Sequence, residues 1–209
     1  VKCASPSRGV MVTDFDPLRL ARTYQENGAS AISVLTDERY FKGHLDYLRQ
    51  ISGLESHLPL LRKDFLWDPY QVYEARAAGA DAVLLIAAYL EPDVLRDLHT
   101  LSLALGMAPL VEVHSREELD KVLNCGPVLV GINNRDLRDF TVRFDTVLSL
   151  RQFVPQDVCL VAESGIHTPE DVARLAAGGV DAVLIGEALV TAPDVALKVR
   201  NLAGLEKTG

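Results

Sequence analysis

The chain has 209 residues, 48% of them hydrophobic and 24% charged, a composition that supports one substantial core. Its 29 acidic residues outnumber 21 basic ones, and the net charge of −8 excludes a nucleic-acid or anionic-membrane binder, which would need a dense basic field. Three scattered cysteines fit a reducing cytosol better than a disulfide framework or a paired metal site, no apolar run approaches the roughly 20 residues of a membrane span, and the opening residues lack a secretory apolar region.

In chain order, Lys2 is followed by a loop rich in Ser, Pro and Gly over Ser5–Gly9. Asp16-Pro17 then reads as a helix N-cap with proline at the first helical position. Apolar runs without polar alternation recur at Ala31–Leu35, Leu58–Leu61, Ala82–Ile86, Leu110–Val113, Val128–Ile132, Cys159–Ala162 and Ala182–Ile185. They predict parallel strands covered by helices. Ser115-Arg116-Glu117-Glu118 reads as a capping box, and Thr168-Pro169 with Glu170 and Asp171 as another helix start. Gly28, Gly79, Gly106, Gly126 and Gly178 stand where helices hand over to strands and a left-handed residue is wanted.

One repeat is visible: Ala77–Ile86 against Ala177–Gly186, with Gly28–Leu35 as a weaker copy, which supports a recurring helix–turn–strand unit. Such alternation suits an open sheet or a closed barrel. Lys63, Glu112, Asn133, Glu163 and Gly186 decide for the (β/α)8 TIM barrel, because they lie at the ends of many different strands. The only candidate for an eighth strand ends at Val1-Lys2, so the first strand is expected to be largely missing from this chain and residues 1–209 to form a single barrel domain.

Candidate chemistry gathers at those strand ends. Ser164 and Gly165, with Gly186 and Glu187, form two glycine loops at the positions where barrels bind phosphate on backbone N–H groups. Lys63, beside Phe65 and Trp67, is expected to be partly desolvated with a lowered pKa; pairing with Asp64 is the bland alternative. Glu112, a carboxylate inside an apolar strand, needs a partner, and Lys63 two strands away supplies one. Glu112 and His114 share a strand face, but no third ligand supports a metal site. Asn133 and Arg135 suit a substrate hydroxyl and carboxylate.

Lys2-x-x-Ser5-Pro6-Ser7, Ser33–Asp37, Leu61-Arg62-Lys63-Asp64-Phe65, Val111-Glu112-Val113-His114, Gly131–Leu137 and Glu163-Ser164-Gly165-Ile166 together closely resemble indole-3-glycerol-phosphate synthase, in order and spacing, across essentially the whole chain. The resemblance implies cyclisation of 1-(o-carboxyphenylamino)-1-deoxyribulose 5-phosphate with loss of carbon dioxide and water, in tryptophan biosynthesis, without cofactor or metal. It implies a small anionic sugar phosphate as partner, other tryptophan-pathway enzymes as further partners, and the cytoplasm, or a plastid in a photosynthetic eukaryote, as location. By the same resemblance Lys63 is the general acid, Lys2 positions the anionic substrate, Glu112 is the base or proton partner of the dehydration, and Asn133 and Glu163 orient hydroxyls and lysines. Arg135 with Ser5 and Ser7 holds the anthranilate end; Phe65, Leu84 and Leu137 wall it. Ser164, Gly165, Gly186 and Glu187 hold the phosphate, Glu187 through its N–H with the side chain turned away.

The family carries a catalytic glutamate two positions before the lysine matched by Lys2, preceded by a helical extension. The chain is therefore expected to be an N-terminally truncated piece. The competing reading is a non-catalytic phosphate-ligand-binding barrel or scaffold lobe of a fused enzyme. A sister isomerase barrel would need a Cys/Asp or Asp/Asp pair at the strand ends, which this chain lacks.

Overall fold

All seven apolar runs become strands of one parallel sheet. The computed structural model describes residues 1–5, 9–11, 14–136 and 140–204. A two-stranded antiparallel pair, β1 (Ala4–Ser5) and β2 (Gly9–Val10), comes first. Then follow α1 (Pro17–Glu26), β3 (Ile32–Leu35), α2 (Glu38–Phe41), α3 (Leu45–Ser52), β4 (Leu60–Lys63), α4 (Pro69–Ala77), β5 (Ala82–Ile86) and α5 (Pro92–Ala104). The second half runs β6 (Ala108–Val113), α6 (Arg116–Leu123), β7 (Leu129–Asn133), α7 (Asp145–Arg151), β8 (Cys159–Glu163), α8 (Pro169–Ala177), β9 (Ala182–Leu184), α9 (Glu187–Val190) and α10 (Val195–Leu202). Sheet order equals chain order, β3 through β9, every neighbouring pair parallel. At the β3 edge the ladder is extended by Val1, whose amine donates to Ser33 O and whose carbonyl accepts from Leu35 N.

Strand parity sorts the core into two layers. Outward residues such as Val34, Leu60, Val83, Leu85, Val111, Ile132 and Leu160 pack with Leu48, Leu95, Leu119 and Leu175 from the helices. Inward residues Leu61, Leu84, Ile86, Leu110 and Val161 form a separate apolar cluster on the other face of the sheet. Both faces of each strand are thus apolar, which is why the runs lack polar alternation. The same parity places Lys63, Glu112 and Glu163 on the inner face, above Leu61, Leu110 and Val161.

Local chemistry departs from expectation in instructive places. Strand β4 starts at Leu60 rather than Leu58, since Pro59 has no N–H to give a ladder. Lys63, Asn133 and Glu163 are the last residues of their strands. Gly28, Gly79, Gly106 and Gly126 have positive φ as expected, but after α8 the left-handed residue is Gly179, not Gly178. Asp16 and Thr168 cap α1 and α8, the latter in a full capping box with Asp171. At α6 Ser115 accepts from Glu118 N, yet the Glu118 carboxylate turns to the His114 N–H at 2.7 Å, so the box is one-sided.

The sequence repeat has a structural cause. Asp81 accepts a hydrogen bond from Leu60 N at 2.9 Å through its side chain and returns its own N–H to Leu60 O at 2.9 Å. Asp181 does the same to Leu160, at 2.8 and 3.0 Å. Each aspartate ties the start of one strand to the start of the next. Asp81→Ala or Asp181→Ala is expected to cost about 1–2 kcal/mol, by leaving a strand N–H without its acceptor. Urea unfolding reads this directly, and unchanged midpoints in both variants would show that the ties are dispensable.

Candidate active site

A cavity of about 770 Å³ runs over the inner apolar cluster, from the carboxyl ends of the strands at Lys63 and Glu163 to their amino ends at Ala82, Cys159 and Ala182. Lys2, Lys63, Phe65, Leu84, Glu112, Asn133, Arg135, Glu163, Ser164, Gly165, Gly186 and Glu187 all line it. Of the other residues singled out in the sequence, Ser5 is described as part of β1. Ser7 and Leu137 lie outside the described residues. The cavity continues between the edge strands β3 and β9 towards Tyr24, Val199 and Leu202.

At its floor Lys63 Nζ donates to Glu163 Oε2 at 2.8 Å and to Glu112 Oε2 at 3.2 Å. The two carboxylates are 1% and 2% exposed. Burial alone would lower the Lys63 pKa, but two adjacent carboxylates more than offset it and raise it above the usual lysine value. The expected lowering is therefore reversed: Trp67 is 64% exposed and shields nothing, and the partners are Glu112 and Glu163. Asp64 is engaged elsewhere, by Arg62 and Thr36.

The two carboxylates differ sharply. Burial would push Glu112 up, but Lys63, His114 and an Asn133 amide bond at 3.1 Å hold it well below the ordinary carboxylate range. Glu163 is pushed up to about 7, first by burial and then by the negative charge of Glu112, against the pull of Lys63. Its Oε1 is buried and finds no hydrogen-bond partner among the described residues. Two acids sharing one ammonium titrate as a unit, and the less supported member retains the proton.

Room for Glu163 comes from a residue that sequence reading passed over. A Cβ on Gly131 would lie 2.3 Å from Glu163 Oε1. The signal was present as a glycine inside an apolar strand, which marks close approach of another group. Arg62 was also missed as a contributor. It is 5% exposed and, pointing outward between β4 and α4, contacts Glu74 at 2.9 Å, Gln71 O at 2.9 Å and Thr36 Oγ1 at 3.1 Å. Its neighbour Asp64 accepts from Phe65 N, so this network fixes the turn that carries Phe65. Phe65 in turn meets the rings of Phe41 and Tyr89, with centroids 6.4 and 5.8 Å away.

The opposite side of the cavity is cationic. Lys2 sits with its ammonium 5.4 Å from the Phe41 ring centre; burial and the charges of Arg135 and Lys63 lower its pKa, while Glu187 opposes them. Arg135 Nη2 is 3.4 Å from Glu187 Oε2, and Asn133 Oδ1 accepts the Arg135 N–H at 3.0 Å. The Glu187 side chain therefore faces the cavity, correcting the expectation that it turns away: two nearby cations make the inward position favourable. Ser164 and Gly165, at φ 65° and 74°, turn the chain after β8, and Gly186 caps α9.

Relative to its unfolded value of 4.5, the raised Glu163 pKa favours the folded state when protonated. Its contribution is full below about pH 4.5 and is lost as pH rises through about 7. Carbon-13 NMR of the Glu163 carboxyl is expected to titrate near 7, and Gly131→Ala, by displacing that oxygen, to move the midpoint. A wild-type midpoint near 4.5 would remove the asymmetry between the two acids.

A family model described as indole-3-glycerol phosphate synthase matches residues 1–202. The indole-3-glycerol phosphate synthase of Roseiflexus castenholzii is 56% identical over 211 residues, covering 98% of this chain and 78% of that protein. That of Dehalococcoides mccartyi is 53% identical over 204 residues, covering 97% and 79%. Among solved structures, a 3-hexulose-6-phosphate synthase superposes with a TM-score of 0.71 at 16% identity, over 90% of this chain and 92% of that one. Thiamine phosphate pyrophosphorylase from Pyrococcus furiosus gives 0.68 at 20% identity, over 90% and 88%; at such identities the likeness concerns the β/α-barrel fold alone. With the family model spanning nearly its whole length and relatives sharing more than half of its residues, the chain belongs to the indole-3-glycerol phosphate synthase family, carbon–carbon lyases of tryptophan biosynthesis.

Proposed function

We propose that the protein cyclises 1-(o-carboxyphenylamino)-1-deoxyribulose 5-phosphate to indole-3-glycerol phosphate with release of carbon dioxide and water. The observation that carries this reading is Lys63, clamped between buried Glu112 and Glu163 and facing a cavity whose other side holds Lys2 and Arg135. A substrate with a phosphate at one end and an aromatic carboxylate at the other calls for separated cationic and N–H donor groups.

In this reading the aromatic carbon bearing the carboxylate attacks the ribulose carbonyl carbon, and Lys63 gives a proton to the carbonyl oxygen. Carbon dioxide leaves, and its bonding pair restores the aromatic ring. The new hydroxyl then departs as water with a second proton from the reloaded Lys63. The adjacent methylene gives its proton to the Glu163 carboxylate, which takes the base role expected of Glu112; the one proton consumed overall comes from solvent. Lys2 positions the anionic substrate and assists the proton delivery. Of the two acids, Glu163 is the one whose pKa of about 7 lets it exchange a proton near neutrality and reload Lys63; Glu112 stays ionised as counter-ion. Asn133 holds Glu112 through its amide. Arg135 receives the anthranilate carboxylate once Glu187 yields it. Phe65 and Leu84 wall the ring, and the backbone N–H groups of the Ser164-Gly165 and Gly186-Glu187 turns receive the phosphate.

Formation of the fluorescent indole product from this substrate is the direct assay. Lys63→Ala is expected to reduce turnover by at least about 100-fold, the scale of a lost general acid. Unchanged turnover in that variant rejects Lys63 as the acid. Tight binding of a substrate analogue by the wild-type protein without product would favour the phosphate-binding scaffold instead.

A further inference from the structure

We propose that His114 is a positioning residue of this site: gripped by Glu118 on its far side, it holds the Glu112 carboxylate in place as the standing counter-ion of Lys63. The proposal deepens the lyase reading above and rests on it. His114 directly follows β6, one position beyond Val113, and its side chain is 11% exposed. Nδ1 is 3.2 Å from Glu118 Oε2, and the same oxygen accepts the His114 backbone N–H at 2.7 Å. Nε2 is 3.2 Å from Glu112 Oε1, at ion-pair distance though off hydrogen-bond alignment.

A neutral imidazole has one N–H donor and cannot satisfy carboxylates at both nitrogens; the imidazolium can. Burial works against the charged ring, but close contact with the Glu112 and Glu118 carboxylates and their negative charges raise its pKa to about 9. His114 therefore remains a cation through neutrality. From β6 it faces Glu112 and from α6 Glu118; behind Glu112 stand Lys63 on β4, Asn133 on β7 and Glu163 on β8. Lys121, also on α6, donates instead to the carbonyls of Ala87 and Leu90.

The consequence is an asymmetry that the lysine alone would not create. Lys63 bonds both acids and lies nearer Glu163, at 2.8 Å against 3.2 Å, so the lysine alone would favour a proton on Glu112 instead. Glu112 has two further supports, His114 and Asn133, whereas Glu163 Oε1 has none among the described residues. Removing the cationic ring leaves Glu112 easier to protonate, and a protonated Glu112 no longer balances Lys63.

The test compares wild type, His114→Gln and Glu118→Gln by the pH dependence of kcat and by nitrogen-15 NMR of the imidazole. In His114→Gln the acid limb of the kcat profile is expected to move up by about one pH unit, with Glu118→Gln moving the same way by less. In the wild type, both His114 ring nitrogens are expected to carry protons near pH 7. A folded His114→Gln whose profile superimposes on the wild type overturns the proposal, even if that variant melts earlier, because a merely structural ring would leave the profile alone. Should His114→Gln fail to fold, an unshifted Glu118→Gln profile or a neutral wild-type imidazole overturns it. If the wild type shows no turnover, the lyase reading fails, while the imidazole spectrum still decides whether the clamp exists.

Discussion

One ammonium held between two buried carboxylates organises this molecule's chemistry. Lys63, Glu112 and Glu163 come from strands far apart in sequence and meet only because β4, β6 and β8 are alternate members of one parallel sheet. Alternate strands contribute inward residues at the same level of a barrel, so three ionisable groups can stand in one layer above the apolar interior. Burying two acids and a lysine is costly unless the partners remain in contact, because an unpaired buried charge loses its hydration without replacement. The cluster thus depends on the accuracy of the sheet beneath it.

That accuracy has identifiable sources. The inward cluster of Leu61, Leu84, Ile86, Leu110 and Val161 supports the charged layer from below, and the helices press on the outer face. The paired aspartates Asp81 and Asp181 fasten strand starts, so strand ends arrive at a common height. Gly131 leaves the space that Glu163 fills. Outside the barrel, Arg62 spends its guanidinium on Thr36, Asp64, Glu74 and the Gln71 carbonyl, which orders the turn leading to the aromatic wall at Phe65.

The cationic side follows a different rule. Lys2 and Arg135 are brought together with Glu187, whose carboxylate pairs with Arg135. An internal carboxylate between two cations offsets their mutual repulsion. The floor of the cavity thus holds one ammonium between two acids, and its side two cations beside one acid.

By itself the sequence determined the strand pattern, most helix caps, and the set of residues at strand ends, because continuous apolar runs, cap residues and ionisable groups inside apolar segments are all local signals. It also carried the family resemblance, through motifs spread over the chain. It did not determine the sense of the Lys63 shift, the inward turn of Glu187, or the separate fates of Glu112 and Glu163. A pKa depends on which charges lie within a few ångströms, and those neighbours stand tens of residues away along the chain. Only the closing of strands side by side decided that Lys63 has two acids rather than one, and that a glycine makes room for Glu163.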